Sequence, residues 1–133
     1  MKTALDSSVI LDVVTGLAPF ADVSEKAIRE AAQNGTLLMG EWVLAEITPA
    51  FVGLKIEEFL NDWNIVYQPS TQESALLAGQ MFTIYLQRRS APRRVVPDFL
   101  VAAHAQIHAD RLLARDRGYY RDYFKDLVLI EPA

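Results

Sequence analysis

Short apolar runs separated by longer helical patterns constrain the fold of this chain more than any other feature. Each run has three or four residues, and the five runs lie at 2–5, 36–39, 65–67, 112–114 and 127–130. The intervening segments include amphipathic and alanine-rich stretches that are long enough for helices. Such an alternation predicts an α/β fold, with a short parallel sheet of four to five strands covered by helices on both faces.

Four acidic residues are expected to meet at one edge of this sheet. Asp6 and Asp116 each follow a predicted strand, and Glu46 and Asp98 lie on early turns of helices that begin near the same edge. Pro97 favours a helix start, which places Asp98 in or beside the first turn, where a carboxylate also suits the helix dipole. A capping role would explain Asp98 alone, but ligands bind where parallel strands end, and its three companions point to a site.

The types of residue present favour a divalent metal ion that prefers oxygen ligands. Four converging carboxylates repel one another unless a cation holds them together. The chain has no cysteine, so thiolate ligands, cysteine nucleophiles and disulfides are excluded, and a reducing cytoplasm is compatible. A site of oxygen ligands alone suits Mg²⁺ or Mn²⁺.

Length and charge point to one globular domain with an uneven charge distribution. A chain of 133 residues fits a single domain, 1–133, and no apolar run approaches the length of a membrane span, so a soluble cytoplasmic protein is expected. The net charge is −4, but residues 1–87 carry four basic and eleven acidic side chains and residues 88–125 carry nine basic and four acidic. A carboxylate cluster rimmed by arginines suits a phosphodiester backbone, and also an acidic protein partner.

Four segments, in order, resemble the PIN domain nucleases, and within them the small VapC-type toxins of toxin–antitoxin pairs. Segment 5–11 is similar to the strand end that carries the first metal-binding acid, followed by a hydroxyl residue, and segment 43–46 to the helix bearing the second acid. Segment 97–105 resembles the aspartate and alanine-rich helix of the most specific motif, and segment 112–120 the region of the last acid. The resemblance extends over nearly the whole chain.

This resemblance implies a three-layer α/β/α PIN-like domain that hydrolyses RNA phosphodiester bonds with Mg²⁺ or Mn²⁺. The metal ligands and catalytic acids would be Asp6, Glu46, Asp98 and Asp116. The resemblance further implies a homodimer and a small antitoxin protein that occupies the acidic groove. Ser8 would donate a hydrogen bond to the acids, and Arg115 and Arg117 would contact the RNA backbone. The family commonly has Ser or Thr two residues before the last acid, where this chain has Ala114.

Two other functions remain open on sequence alone. A PIN-like domain retained for protein binding would have a metal site weakened at Ala114. A receiver-type signalling domain also gathers acids at strand ends, but it needs a phosphorylatable aspartate after a middle strand, whereas Asp98 here follows Pro97 on a helix. A phosphatase with an Asp-x-Asp nucleophile is disfavoured, because Asp6 is followed by two serines.

Other polar and aromatic residues are expected to lie outside the site. Glu41 and Asp12 are predicted to be solvated, and His104 and His108, although spaced i, i+4, lack a third ligand and favour partly buried or surface roles. The aromatic residues are expected mainly in the core or at a dimer contact rather than stacked on bases. These residues are Trp42, Trp63, Tyr119, Tyr120, Tyr123 and Phe124. Whether Arg88, Arg89, Arg93 and Arg94 guide RNA or only solvate their loop stays open.

Overall fold

The computed structural model describes residues 1–88, 96–115 and 118–133, and the side chains of residues 118 and 119 lie outside this description. Within the described residues, strands and helices alternate along the chain. The strands are β1 (Lys2–Leu5), β2 (Thr36–Met39), β3 (Ile65–Tyr67), β4 (Arg111–Leu113) and β5 (Leu129–Ile130). The helices are α1 (Ser7–Thr15), α2 (Phe20–Gln33), α3 (Glu41–Ile47), α4 (Ile56–Asp62), α5 (Gln72–Arg88), α6 (Val96–His108) and α7 (Gly118–Tyr123), with a 3-10 helix at Thr48–Phe51.

The five strands form one parallel sheet in the order β3-β2-β1-β4-β5. Strand β1 is central: Ala4 pairs with Leu38 of β2 on one side and with Leu112 of β4 on the other. The predicted α/β class and parallel sheet are therefore confirmed, and the sheet has five strands. A receiver-type domain has the strand order 2-1-3-4-5, so the observed order argues against that alternative.

The direction of the crossovers explains where the helices and the site lie. The chain moves outward from β1 to β2 and β3, and then returns through α5 and α6 to β4 on the opposite side of β1. Right-handed crossovers place α1 to α4 over one face and α5 to α7 over the other. The contacts of α1 with α2 and α3, and of α6 with α5 and α7, agree with this arrangement. The strand order reverses between β1 and β4, where ligands bind in such sheets.

An aromatic cluster centred on Phe99 forms the core beneath α6. The Phe99 ring is fully buried, and four other rings surround it at centroid distances of 5.4–5.7 Å. These rings belong to Phe82, Tyr85, Tyr123 and Phe124. We call these five residues the Phe99 cluster. The burial of Tyr123 and Phe124 confirms their predicted place in the core rather than on bases.

The ends of α1 and α2 depend on more than residue type. Ser7 and Ser8 are residue types that favour an N-cap, but Asp6 is the N-cap of α1, with an extended backbone and a carboxylate that accepts from Ser8 N. Gly16 ends this helix, because its φ of +68° lies in the left-handed region. Residues 22–25 have the pattern of a capping box, yet α2 already begins at Phe20. No helix among the described residues is long and apolar enough to cross a membrane.

Candidate active site

Three of the four predicted acids line one open groove at the carboxyl ends of β1 and β4. Asp6 follows β1, Glu46 lies on α3 and Asp98 on α6, so three separate segments of the chain contribute. The groove has a volume of about 410 Å³. Its other lining residues are Ser7, Ser8, Leu11, Trp42, Val101, Arg115 and Tyr120. The fourth predicted acid, Asp116, lies outside the described residues. We call this feature the acid groove.

Three hydrogen bonds hold the carboxylate of Asp6 at the wall of the groove. Its Oδ2 accepts hydrogen bonds from Ser8 N at 3.1 Å and Ser8 Oγ at 2.6 Å, and its Oδ1 accepts from Tyr120 OH at 3.0 Å. The side chain is 7% exposed. A buried carboxylate needs such donors, because an unpaired one loses its hydration without compensation. The donors therefore fix both oxygens of Asp6 at the groove wall.

Glu46 reaches the same groove from α3. Ser7 Oγ donates a short hydrogen bond to Glu46 Oε1, which ties the start of α1 to this helix. Trp42 lies one turn before Glu46, on the same side of α3, and also lines the groove. With 40% of its surface exposed, Trp42 is an accessible aromatic side chain beside the acids rather than the simple packing residue predicted.

Asp98 lies in the first turn of α6, as Pro97 predicted. Its side chain is partly buried, and Val101, one turn later on the same face, lines the groove with it. The positive end of the α6 dipole favours the ionised carboxylate at this position. The start of α6 therefore places Asp98 in the groove and also favours a negative charge there.

The donor set of the groove matches an oxygen-binding cation, although the described acids do not complete a site. Among the lining residues that the structure describes, the possible ligands are carboxylates and hydroxyl groups, and none is an imidazole. However, no group of three or more acidic or histidine residues within 1–88, 96–115 and 118–133 is arranged to hold a metal ion. Asp6, Glu46 and Asp98 therefore share a groove without forming a closed ligand cluster among themselves.

Arg115 and the buried Asp12 form an ion pair that sequence reasoning missed. Arg115 Nε donates to Asp12 Oδ2 at 2.9 Å, and Arg115 Nη2 donates to Asp12 Oδ1 at 3.0 Å. Asp12 was predicted to be solvated, but it is only 7% exposed, so that prediction is wrong. A signal was present: Asp12 lies four residues after Ser8, on the same face of α1, and Ser8 was already expected beside the acids.

Several other predicted residues fall on parts of the chain that the structure does not describe. Arg117, one of the two predicted RNA-binding arginines, lies outside the described residues. The same holds for three arginines of the basic loop, Arg89, Arg93 and Arg94, and for the side chain of Tyr119. Ala114 is described and fully buried, and its backbone N donates to Ile130 O at 3.1 Å.

Glu41 and the two histidines lie away from the acid groove. Two hydrogen bonds from Ser70, to Glu41 Oε1, hold this exposed carboxyl in place. Partial burial raises the pKa of Glu41, but the hydrogen bonds from Ser70 and from the Glu41 backbone, together with the charge of His104, lower it, and the net pKa is lowered. His104 is 4% exposed and its Nε2 donates to Gln68 O at 2.6 Å, while His108 lies beside it with a ring-centroid separation of 5.0 Å. The predicted partly buried or surface role is confirmed for His108, whereas it is wrong for His104, which is almost fully buried.

The pKa of His104 predicts a pH dependence of stability. Burial lowers this pKa, the Gln68 carbonyl raises it, His108 lowers it and Glu41 raises it, with a net decrease. The unfolded chain therefore binds more protons than the folded protein as pH falls through about 6.5, and the free energy of unfolding decreases there. We expect His104→Gln, which keeps an N–H donor, to flatten this decrease in urea denaturation measured from pH 8 to 5. Equal slopes for the variant and the parent would contradict the assignment.

The fold and the acid groove define an α/β protein of the PIN-like class. Comparison with protein-family models and with curated proteins finds no match. Comparison with solved structures finds matches over nearly the full length. VapBC2 from Rickettsia felis, solved with a DNA fragment from the promoter, matches with a TM-score of 0.75 at 18% identity, covering 98% of each chain.

Two further structures give the same result. VapBC-1 from nontypeable Haemophilus influenzae matches with a TM-score of 0.69 at 21% identity and covers 98% of each chain. FitAcB from Neisseria gonorrhoeae matches with a TM-score of 0.68 at 16% identity, covering 98% of this chain and 97% of that one. These structures are toxin–antitoxin complexes. The chain shares their PIN-like fold, as the sequence predicted.

Proposed function

We propose that this protein is a metal-dependent endoribonuclease that acts as the toxin of a toxin–antitoxin pair. One observation carries the proposal: Asp6, Glu46 and Asp98, from three separate segments, line a single open groove where the strand order reverses. The full-length similarity in fold to VapBC and FitAcB complexes supports the toxin role. RNA would be the substrate, and the reaction would be hydrolysis of a phosphodiester bond.

The residues that would hold Mg²⁺ or Mn²⁺ are Asp6, Glu46, Asp98 and Asp116. Their oxygen-only chemistry suits these cations, and the proposal requires Asp116 to supply the ligand that the described acids lack. When bound, such a cation activates a water nucleophile and stabilises negative charge on the phosphoryl oxygens. The carboxylates would also attract the cation electrostatically from solution.

Neighbouring residues of the chain would orient the acids and the substrate. Ser8 and Tyr120 hold Asp6, and Ser7 holds Glu46, so these carboxylates are placed before any ligand arrives. The Arg115 side chain lines the groove and is 41% exposed. We propose that it contacts an RNA phosphate while Asp12 holds it, and that Arg117 makes a second such contact.

The proposed partners are RNA, a cognate antitoxin and a second copy of the chain. The antitoxin assignment follows from the VapBC and FitAcB complexes, whose fold this chain shares. An open groove lined by acids and by the exposed ring of Trp42 suits an inhibitory segment that carries basic and apolar side chains. Light scattering of the purified protein, alone and with the antitoxin, measures both assemblies.

A second candidate function is a PIN-like module that binds protein without cleaving RNA. Two observations favour it: the described acids form no three-ligand group, and Ala114 places no hydroxyl before Asp116. The nuclease function requires that the folded protein binds a divalent cation and cleaves RNA. The binding module requires neither.

Incubation of antitoxin-free protein with total cellular RNA tests the proposed function. We expect cleavage with Mg²⁺ or Mn²⁺ and none with excess chelator, because the carboxylates alone cannot stabilise the charge on a phosphoryl group. Calorimetric titration with Mn²⁺ provides a measurement that does not depend on the RNA. Folded protein that neither binds Mn²⁺ nor cleaves RNA would overturn the nuclease function and favour the binding module.

A further inference from the structure

Asp12 is a buried acid that the proposed chemistry does not use. Its carboxylate accepts two hydrogen bonds from the Arg115 guanidinium, at 2.9 and 3.0 Å, and a third from Ser24 Oγ at 2.7 Å. An ion pair with one buried partner does not need to add stability, since the loss of hydration of that partner offsets much of the attraction. The bidentate geometry does, however, fix the orientation of Arg115.

Arg115 is held on a second side by an aromatic ring. Its guanidinium carbon lies 4.2 Å from the centroid of the Phe20 ring. Asp12 belongs to α1, whereas Phe20 and Ser24 belong to α2. The side chains of Asp12 on α1 and Phe20 on α2 therefore both hold Arg115, which follows Ala114 after the end of β4. These contacts fix the position of Arg115 beside the two helices.

The backbone of Arg115 connects this ion pair to the acid groove. Arg115 N donates to Ser8 Oγ at 3.1 Å, and Ser8 Oγ in turn donates to Asp6 Oδ2 at 2.6 Å. Because the Ser8 hydroxyl accepts from the arginine N–H, its own proton is directed to Asp6. A chain of contacts thus runs from Asp12 through Arg115 and Ser8 to Asp6.

We propose that Asp12 is a positioning residue of the acid groove, acting through Arg115 to hold Ser8 against Asp6. The inference rests on the proposed function, because it concerns the metal site of that function. Asp12 does not itself line the acid groove. Its effect reaches the site only through Arg115.

Asp12→Asn is the first test, since it removes the charge with little change in shape. We expect the Mn²⁺ concentration for half-maximal cleavage of total RNA to rise about 10- to 100-fold, as for other groups that orient metal ligands. Calorimetric titration with Mn²⁺ alone should show the same weakening. Asp22→Asn is the matched control, because it removes the charge of an exposed acid of α2 that does not line the acid groove. It should leave Mn²⁺ binding within about twofold of the parent.

A double-mutant cycle separates positioning from a general structural role. If Asp12 acts through Arg115, Asp12→Asn added to Arg115→Gln should weaken Mn²⁺ binding no further than Arg115→Gln alone. If circular dichroism shows Asp12→Asn to be unfolded, Arg115→Lys replaces it. Arg115→Lys keeps a cation for Asp12 but loses the bidentate geometry, and it should weaken Mn²⁺ binding in the same way.

The outcomes distinguish this inference from the proposed function. Parent-like Mn²⁺ binding and cleavage in Asp12→Asn, or in Arg115→Lys where the former is unfolded, would overturn the positioning role and leave the nuclease function intact. Additive losses in the double variant would also overturn it, because Asp12 would then act independently of Arg115. A folded parent that neither binds Mn²⁺ nor cleaves RNA would overturn both.

Discussion

Replacing Asp98 with asparagine should lower metal-dependent RNA cleavage by more than about 100-fold while the protein stays folded. Substitution of a residue that only orients a metal ligand already lowers metal affinity or activity by about 10- to 100-fold, and loss of a ligand should lower activity further. Asparagine keeps the size of the side chain and its place in the first turn of α6, but it removes the negative charge. The groove would then hold a divalent cation less tightly. Initial cleavage rates at fixed Mg²⁺, with circular dichroism as a check on folding, measure the effect.

A matched substitution outside the groove controls for the loss of one carboxylate. Asp62 ends α4, is exposed and does not line the acid groove. Asp62→Asn should therefore cleave RNA at the parent rate. If Asp98→Asn and Asp62→Asn were equally active, Asp98 would have no part in catalysis, whatever its place in the groove.

The placement of three acids in one groove follows from local rules that a sequence contains. Asp6 directly follows a strand, and Pro97 favours the start of the helix that carries Asp98. Because all strands of a parallel sheet end at the same edge, this convergence could be predicted without knowing the strand order. The order β3-β2-β1-β4-β5 itself could not be predicted, since β1 pairs with β4 across more than a hundred residues of chain.

The interactions that orient the acids could not be predicted in the same way. Ser24 is a residue type common at helix caps, yet it is fully buried and donates to Asp12 on another helix. Tyr120 was assigned to the core, and it is buried, but its hydroxyl donates to Asp6 from 114 residues away. Such partners depend on how helices pack over the sheet, and a periodic pattern along the chain does not specify that packing.

Helix α7 shows the same limit for secondary structure. Its described backbone spans Gly118–Tyr123, a length too short for periodicity to indicate a helix. Burial of Tyr120 and Tyr123, rather than intrinsic preference, accounts for its position against α6. Sequence reasoning found its aromatic residues and their buried role without finding the helix.

Phe99→Ala should lower the free energy of unfolding by about 3–5 kcal/mol, the range observed for large aromatic residues removed from a core. The Phe99 side chain is fully buried at the centre of the Phe99 cluster, so alanine would leave a cavity and remove contacts with four rings. Urea denaturation followed by circular dichroism measures the change. Leu76→Ala is the control. Leu76 lies on α5, which packs against α6, and it is 57% exposed, so its replacement should change the free energy of unfolding by less than about 0.5 kcal/mol.

Phe99 and Asp98 are neighbours in sequence, but their side chains act on different properties of the protein. Phe99 faces the core and Asp98 faces the acid groove, so Phe99→Ala should cost stability and Asp98→Asn should cost catalysis. At low temperature, where Phe99→Ala remains folded, its cleavage rate should exceed that of Asp98→Asn by at least about tenfold. A loss of stability below about 1.5 kcal/mol in Phe99→Ala would show that the cluster can repack around alanine, and that α6 is not held mainly by this ring.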